Sequence, residues 1–367
     1  MPDKDKQVLI VGAGPAGLSA AVELAGQHIG STLIEKAPSP GGHGVRLACK
    51  AAEECVKCGA CAAEDILKRA QKDPRIEIIT NARIKEIQKK SDAGRFTARI
   101  ERSPGDAAPE TLEISADAVI AASGFSPFDP EKKPYGYKKF ENVITGLALE
   151  EMIRAEGLPL RPSDGKPPAR MAFIQCVGSR DSRLGHLWCS RICCGSALRM
   201  AALTRYRSPE TEISFFYIDV QHFGRDFETR FEKIRNDIEM IRAIPGDVFE
   251  IEEKNLSLSW FDKKTEKSLE KTTNLLVLSA GMTPRAPAFL NGLIPPDTPE
   301  QDAGFLPDAL RDEMAGRGVF CAGTVSGPMT IEESSADGAL AAFQALTYMK
   351  KTPKKNKPEH SNEKKQS

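Results

Sequence analysis

One stretch near the start constrains the fold more than anything else in the chain: QVLIVGAGPAGLSAAVELAGQHIGSTLIEKA, where Gly12, Gly14 and Gly17 form a G-x-G-x-x-G run. That spacing alone is weak, and its context strengthens it. The apolar strand VLIV precedes the run, Pro15 and Ala16 open an amphipathic helix, and Glu35 ends a second strand 18 residues after Gly17. The first glycine permits a tight turn, the second lets a pyrophosphate approach the backbone, and the third lets helix and strand pack closely. A carboxylate at the end of the second strand reaches a ribose hydroxyl. The expected unit is βαβ, and the expected ligand is a dinucleotide with an unphosphorylated adenosine ribose, FAD or NAD. A glycine turn without a ligand is the bland alternative.

The 367 residues suffice for two to three compact domains. Lys plus Arg and Asp plus Glu are equal at 51 each, so no overall field favours nucleic acid or an anionic membrane. No apolar run approaches the ~20 residues of a membrane span, and MPDKDKQ enters a strand with no signal-peptide stretch, so a cytoplasmic location is expected. Eight of the nine cysteines form two groups, Cys49, Cys55, Cys58, Cys61 and Cys176, Cys189, Cys193, Cys194. In a reducing compartment such clusters bind metal or do redox chemistry more often than they form disulfides. Cys321, alone in an apolar strand, reads as a packed small hydrophobe. His28, His186 and His222 show no metal-ligand spacing.

After a cysteine-rich excursion from Gly41 to about Lys68, RIEIITNARIKEIQ and the following segments alternate like antiparallel strands and end in a buried strand at Ala118–Ala122. Pro-rich stretches near 126–134 and 158–168 look like crossings. A second α/β unit starts with MAFIQ, continues in a helix near Ser196–Tyr206 and returns as a strand at Glu212–Ile218. A third segment runs from Leu275–Leu278 through GVFCAGT to a helix over Ile331–Met349. The expected division is 1–145, an inserted unit at 146–277, a return at 278–349, and a disordered tail at 350–367.

GVFCAGTVSGPMTIEES resembles the flavin-proximal segment of two-dinucleotide-binding flavoproteins, and AASG and SAG resemble their two inter-domain crossings. The resemblance implies an α/β, thioredoxin-reductase-like fold, an FAD domain with an inserted second Rossmann-like domain. It implies FAD contacts at Gly323, Thr324, Met329, Thr330 and Ile331, where a helix N-terminus would favour negative charge on the flavin. It also implies contacts from Lys36, Gly42, His43, Arg46, Arg83, Ile84, Ala122, Ser123 and Gly124. Thr324 stands where many relatives have Asp, and an exposed His43 in a glycine-rich turn is the bland reading of that residue.

Pyridine-nucleotide-linked members carry a second G-x-G-x-x-G after the first strand of the inserted domain. Here MAFIQ runs instead into CVGSRDSRLGHLWCSRICC. Four thiolates at Cys176, Cys189, Cys193 and Cys194 match the ligand set of a [4Fe–4S] cluster, with zinc, a dithiol site and unrelated thiols as the other readings. QCVGSRD with CSRICC, PSPGGHG, YIDVQHFGRDFE and GPMTIEES together resemble HdrA, the flavin subunit of heterodisulfide reductase, in a short form without added ferredoxin runs. The resemblance implies the cluster at the second cysteine group, a homodimer, and HdrB-like and HdrC-like partner subunits in sulfur-compound oxidation. Two alternatives stand beside it, the flavin subunit of a quinone-interacting oxidoreductase and a stand-alone NAD(P)H-dependent disulfide reductase. Cys49, Cys55, Cys58 and Cys61 read as a second cluster, a redox-active pair or inert thiols.

Overall fold

The computed structural model describes residues 6–89, 94–103, 108–221, 227–285, 290, 293 and 305–351. Strand β1 (Gln7–Val11) feeds α1 (Pro15–Gly26) and returns as β2 (Gly30–Ile34), with Val8 opposite Ser31 in a parallel ladder. Val8, Leu9 and Ile10 are all buried, as a strand covered on both faces requires. The chain continues through α2 (Ala60–Lys72), β3 (Ile76–Ile79), an antiparallel meander of β4 (Ala82–Lys89), β5 (Phe96–Arg102) and β6 (Glu110–Ala116), and the buried β7 (Ala118–Ala121). The alternation in RIEIIT suggests an antiparallel strand. Instead β3 lies parallel to β2, Ser31 opposite Ile76, because α2 carries the chain back before the strand begins.

The short β8 (Ser126–Pro127) leads out of this layer. A second layer follows with β9 (Val143–Thr145), α3 (Gly146–Glu156), β10 (Arg170–Val177), α4 (Cys193–Arg207), β11 (Glu212–Phe216), α5 (Phe227–Asp237) and β12 (Glu239–Ile241). An antiparallel sheet of β13 (Asp247–Glu250), β14 (Leu256–Asp262) and β15 (Lys267–Thr273) precedes β16 (Leu275–Ala280). β17 (Met282–Thr283) pairs with β8 as the chain crosses back to α6 (Asp308–Gly316), β18 (Val319–Cys321) and α7 (Ile331–Lys351).

Two five-stranded parallel sheets result, in the orders β18-β7-β1-β2-β3 and β12-β11-β10-β16-β9. Strand order reverses beside β1 in one and β10 in the other, and ligand crevices open at such points at the carboxyl ends of strands. One face of the first sheet packs Val8 and Ile10 on Leu18, Leu24, Ala341 and Ala345 of α1 and α7, while the other packs Leu9 and Val119 on Phe96, Ile100 and Met314. The expected divisions at 145/146 and 277/278 fall between β9 and α3 and inside β16. The expected tail at 350–367 lies outside the described residues from 352 onward, as does His222. No helix among the described residues is long and apolar enough to cross a membrane.

Candidate functional site

The glycine turn is shaped for a ligand at one point and for the chain at the other two. A Cβ at Gly12, whose φ is +106°, would collide with the carbonyl oxygen of Ala122, and one at Gly17 would collide with that of Gly12. A Cβ at Gly14 would meet nothing within 4 Å. Gly14 also caps α1 without a side-chain hydrogen bond, with Pro15 next, so the amides of the first turn face that open space. Glu35 is buried at the end of β2. Its Oε2 accepts from the Ala13 amide at 2.9 Å and its Oε1 from the Ala37 amide at 2.8 Å, which fixes the carboxylate and leaves each oxygen a second lone pair for a ribose hydroxyl. An open anion cradle beside a fixed, buried carboxylate fits an FAD adenosine diphosphate.

Other expected contacts gather around this cradle to different degrees. The Gly41 amide donates to Ala13 O at 2.7 Å and Gly42 lies against Gly14, which seats the PSPGGHG loop on the turn. His43 packs on Phe125 with the rings tilted at 39° and their centroids 4.8 Å apart, and burial together with the Arg46 cation holds its pKa below the usual imidazole value, so the ring is neutral near pH 7. The Arg46 guanidinium is 2.5 Å from Glu151 of α3 and so bridges the layers. Lys36 and Arg83 are exposed, and Ile84 packs into the meander's apolar core. The Ala122 amide donates to Val11 O at 2.8 Å, Ser123 Oγ is 3.5 Å from Arg285 O, and Gly124, at φ +74°, faces Thr324.

From the far end of the chain, the Gly323 amide donates to Asp337 Oδ2 at 2.7 Å, so α7 supplies a carboxylate for this turn. Thr330 and Glu333 form a capping box that the sequence pattern T-x-x-E could have revealed: Glu333 N–H donates to Thr330 Oγ1 and Thr330 N–H to Glu333 Oε2. Past Met329, the amides of Ile331 and Glu332 have no acceptor inside the helix by their position in its first turn.

At the corresponding place in the second layer the chain is built differently. Cys176 takes a φ of +59° at the end of β10, and Gly178 lies against the Phe128 ring, so protein fills the space that a glycine turn would offer a nucleotide. The loop beyond is pinned to the crossing: Trp188 Nε1–H donates to Met282 O at 3.0 Å and Met282 N–H donates to Ser190 Oγ at 2.7 Å. Arg180 pairs bidentately with Asp219, and Lys133 pairs with Asp181. Arg191, between Cys189 and Cys193, donates to Pro328 O at 3.0 Å and Glu333 Oε1 at 2.8 Å, so the cysteine loop is tied directly to the start of α7.

Cys193 and Cys194 open α4. Burial pushes the Cys176 thiol up to about 12, with Cys194 adding to the shift, and raises Cys193, with Cys194, Cys176 and Cys189 adding to it. The four thiols therefore share one electrostatic neighbourhood. Among the described residues no three His, Cys, Asp or Glu side chains are arranged to hold a single metal ion. In a four-iron cluster each thiolate binds a different iron, so its ligands stand farther apart, and the donor set suits that group. Beside Cys176, both polar side-chain atoms of Gln175 are buried without a hydrogen-bond partner, as they would be next to a group that the polypeptide does not supply.

The first cysteine group is placed otherwise. Cys49, Cys55 and Cys61 are exposed and Cys58 is half-buried just before α2, where Gly59 packs on Ile331 and Glu332. Lys50 forms a fully buried ion pair with Glu150, 2.7 Å apart with both side chains 2% exposed, and Ser196 Oγ–H donates to the same carboxylate at 2.7 Å. Glu150→Ala strands the Lys50 ammonium, and denaturant titration should show a loss of about 3–5 kcal/mol. No local pattern marks that pair. Cys321 is buried in β18, its thiol pushed up to about 11 by burial. His28 is exposed in the turn after α1, and His186 Nδ1–H donates to Gly178 O at 2.8 Å.

The family description "Pyridine nucleotide-disulphide oxidoreductase" matches residues 6–161. The chain is 30% identical, over 95% of its length, to an iron-sulfur A subunit of the CoB–CoM heterodisulfide reductase of Methanopyrus kandleri, the one numbered 2, covering 65% of that protein. It is likewise 30% identical, over 95% of its length, to the A subunit of the H2:CoB-CoM heterodisulfide,ferredoxin reductase of Methanothermobacter marburgensis, covering 64%. It thus spans less than two thirds of these relatives. Among solved structures it resembles Lactococcus lactis thioredoxin reductase, with TM-score 0.62, 18% identity, and 94% and 99% of the two chains covered. It also resembles the Bacillus cereus bacillithiol disulfide reductase, with TM-score 0.57, 16% identity, and 94% and 99% covered. These likenesses show the fold, that of a two-domain flavoprotein.

Proposed function

We propose that the chain, which is similar to the A subunits of heterodisulfide reductases, is an FAD-dependent oxidoreductase, an electron-transfer subunit working between FAD and a [4Fe–4S] cluster held by Cys176, Cys189, Cys193 and Cys194. One observation carries this reading: the loop that stands in place of a second glycine turn gathers four thiols and, through Arg191, bonds the segment that starts α7. When bound, FAD exchanges one or two electrons and an iron–sulfur cluster one, so the pair can convert two-electron transfer into single steps.

The chain's own residues have defined work in this reading. The Gly14 turn and the α1 amides hold the pyrophosphate, and Glu35 orients the adenosine ribose. Amides at the start of α7 would hold the flavin end of FAD, where the helix dipole favours negative charge. His43, neutral and packed on Phe125, would adjoin the flavin without adding charge. Arg191 keeps the cysteine loop against the start of α7, which holds the two candidate centres in one neighbourhood.

HdrB-like and HdrC-like partners, a homodimer and sulfur-compound oxidation complete the proposal, of which the relatives' names as A subunits support the multi-subunit complex. Disulfide or persulfide chemistry would then belong to the partners. A self-sufficient NAD(P)H-dependent reductase is the rival, and the Phe128 ring against Gly178 speaks against a nucleotide in the second layer. Iron, acid-labile sulfide and flavin are to be quantified in anaerobically purified protein, with electron paramagnetic resonance after reduction. Four irons and four sulfides per flavin, with a cluster signal, are expected. Zinc without sulfide, or rapid flavin bleaching by stoichiometric NADH, would overturn the reading.

A further inference from the structure

Gln175 occupies a position where the fold asks for an aliphatic residue. It is 1% exposed, its strand neighbours Met171, Ala172, Phe173 and Ile174 are fully buried and apolar, and neither Oε1 nor Nε2 has a hydrogen-bond partner. A buried amide left unpaired forfeits the hydrogen bonds it makes to water in the unfolded chain, so a group outside the polypeptide would be needed to satisfy it.

Strand geometry says where that group lies. Met171 and Phe173 pack with Ala197, Leu198 and Ala201 of α4, while Ala172 and Ile174 pack with Leu256 and Leu258 of β14. Simple alternation would put Cys176 on the β14 side. Instead the register shifts between Ile174 and Val177, Cys176 takes a φ of +59°, and Val177 continues the row of Ala172 and Ile174. Two consecutive residues, Gln175 and Cys176, therefore share the α4 face across the bulge. Cys193 and Cys194 open α4, whose Ala197, Leu198 and Ala201 pack on that face.

We propose that the Gln175 side-chain N–H donates a hydrogen bond to a sulfur of the cluster and thereby sets its reduction potential. This rests on the cluster reading above. A reduced cluster carries one more negative charge, spread over its sulfurs, and a buried N–H dipole aimed at one of them stabilises the reduced form and raises the potential. The same amide is unfavourable in the cluster-free chain, where neither of its polar atoms has a hydrogen-bond partner. Gln175 thus opposes stability of the empty protein and favours electron acceptance by the filled one.

The test is Gln175→Leu in the full chain, purified anaerobically with FAD and cluster. Electron paramagnetic resonance during a redox titration should show the cluster midpoint moved to a more negative potential, with the flavin midpoint unchanged and iron and sulfide at the wild-type ratio. Thermal unfolding of cluster-free protein should show Gln175→Leu at least as stable as wild type, a result that a purely structural amide would not give. An unchanged cluster midpoint overturns this proposal alone, as does a destabilised cluster-free variant. Wild-type protein with flavin but no iron or sulfide overturns the cluster reading and this proposal together. Where Gln175→Leu sheds its cluster, Gln175→Met, of similar length and without an N–H, is titrated instead. Loss of the cluster from both would make the amide an assembly requirement and overturn the proposal.

Discussion

Gly14→Val should give a chain that folds normally and binds flavin more weakly, whereas Gly17→Val should weaken the fold itself. The two glycines belong to one motif but face different things. A Cβ at Gly14 meets nothing within 4 Å, so added methyls occupy only the space where a pyrophosphate would approach α1. Overpacking of about 1–3 kcal/mol there corresponds to roughly 5- to 150-fold weaker flavin binding. A Cβ at Gly17 collides with the Gly12 carbonyl, part of the backbone that joins β1 to α1, and no side-chain rotation relieves it. The expected loss of stability is about 3 kcal/mol or more. Flavin content after gel filtration and an unfolding curve on each apoprotein separate the two outcomes. Normal flavin content in Gly14→Val would rule out the cradle.

Cys193→Ala should abolish the broad cluster absorption beside the flavin bands and leave FAD bound. Cys193 is raised by burial and then by Cys194, Cys176 and Cys189, which places it among the other three thiols of the set. In the proposed cluster, removing it takes away one of four iron ligands, and an alanine in the first turn of α4 is well tolerated by the helix. The flavin cradle sits on β1, β2 and α1, which the substitution does not touch. Cys58→Ala is the control, because Cys58 lies just before α2 in the separate group. Its absorption spectrum should match wild type. Loss of the cluster in Cys58→Ala with retention in Cys193→Ala would move the iron–sulfur site to the first group.

Much of the architecture was legible because it follows from local period and local punctuation. Apolar residues at β1 and β2, a glycine turn and an acid at the strand end specify one βαβ unit within 30 consecutive residues, Gln7 to Lys36. The parallel placement of β3 was not legible, since IEII has the same alternation whichever way its neighbour runs, and only the return through α2 decides it. Glu333 as a helix cap could be read from T-x-x-E, but its second partner, Arg191, is 142 positions away in the chain. Lys50 and Glu150 look like two ordinary surface charges in the sequence, and folding buries them together.

By itself, the sequence determined that one dinucleotide turn is present and a second is absent, because each such turn is a short run whose chemistry resides in adjacent residues. Tertiary structure alone decided which glycine faces a ligand, since Gly14 and Gly17 differ only in what other elements bring near them. It also decided that Arg191 joins the cysteine loop to α7, and that a bulge turns Gln175 and Cys176 to one side of β10. Those facts arise from contacts between segments far apart in the chain, where packing rather than spacing selects the neighbours.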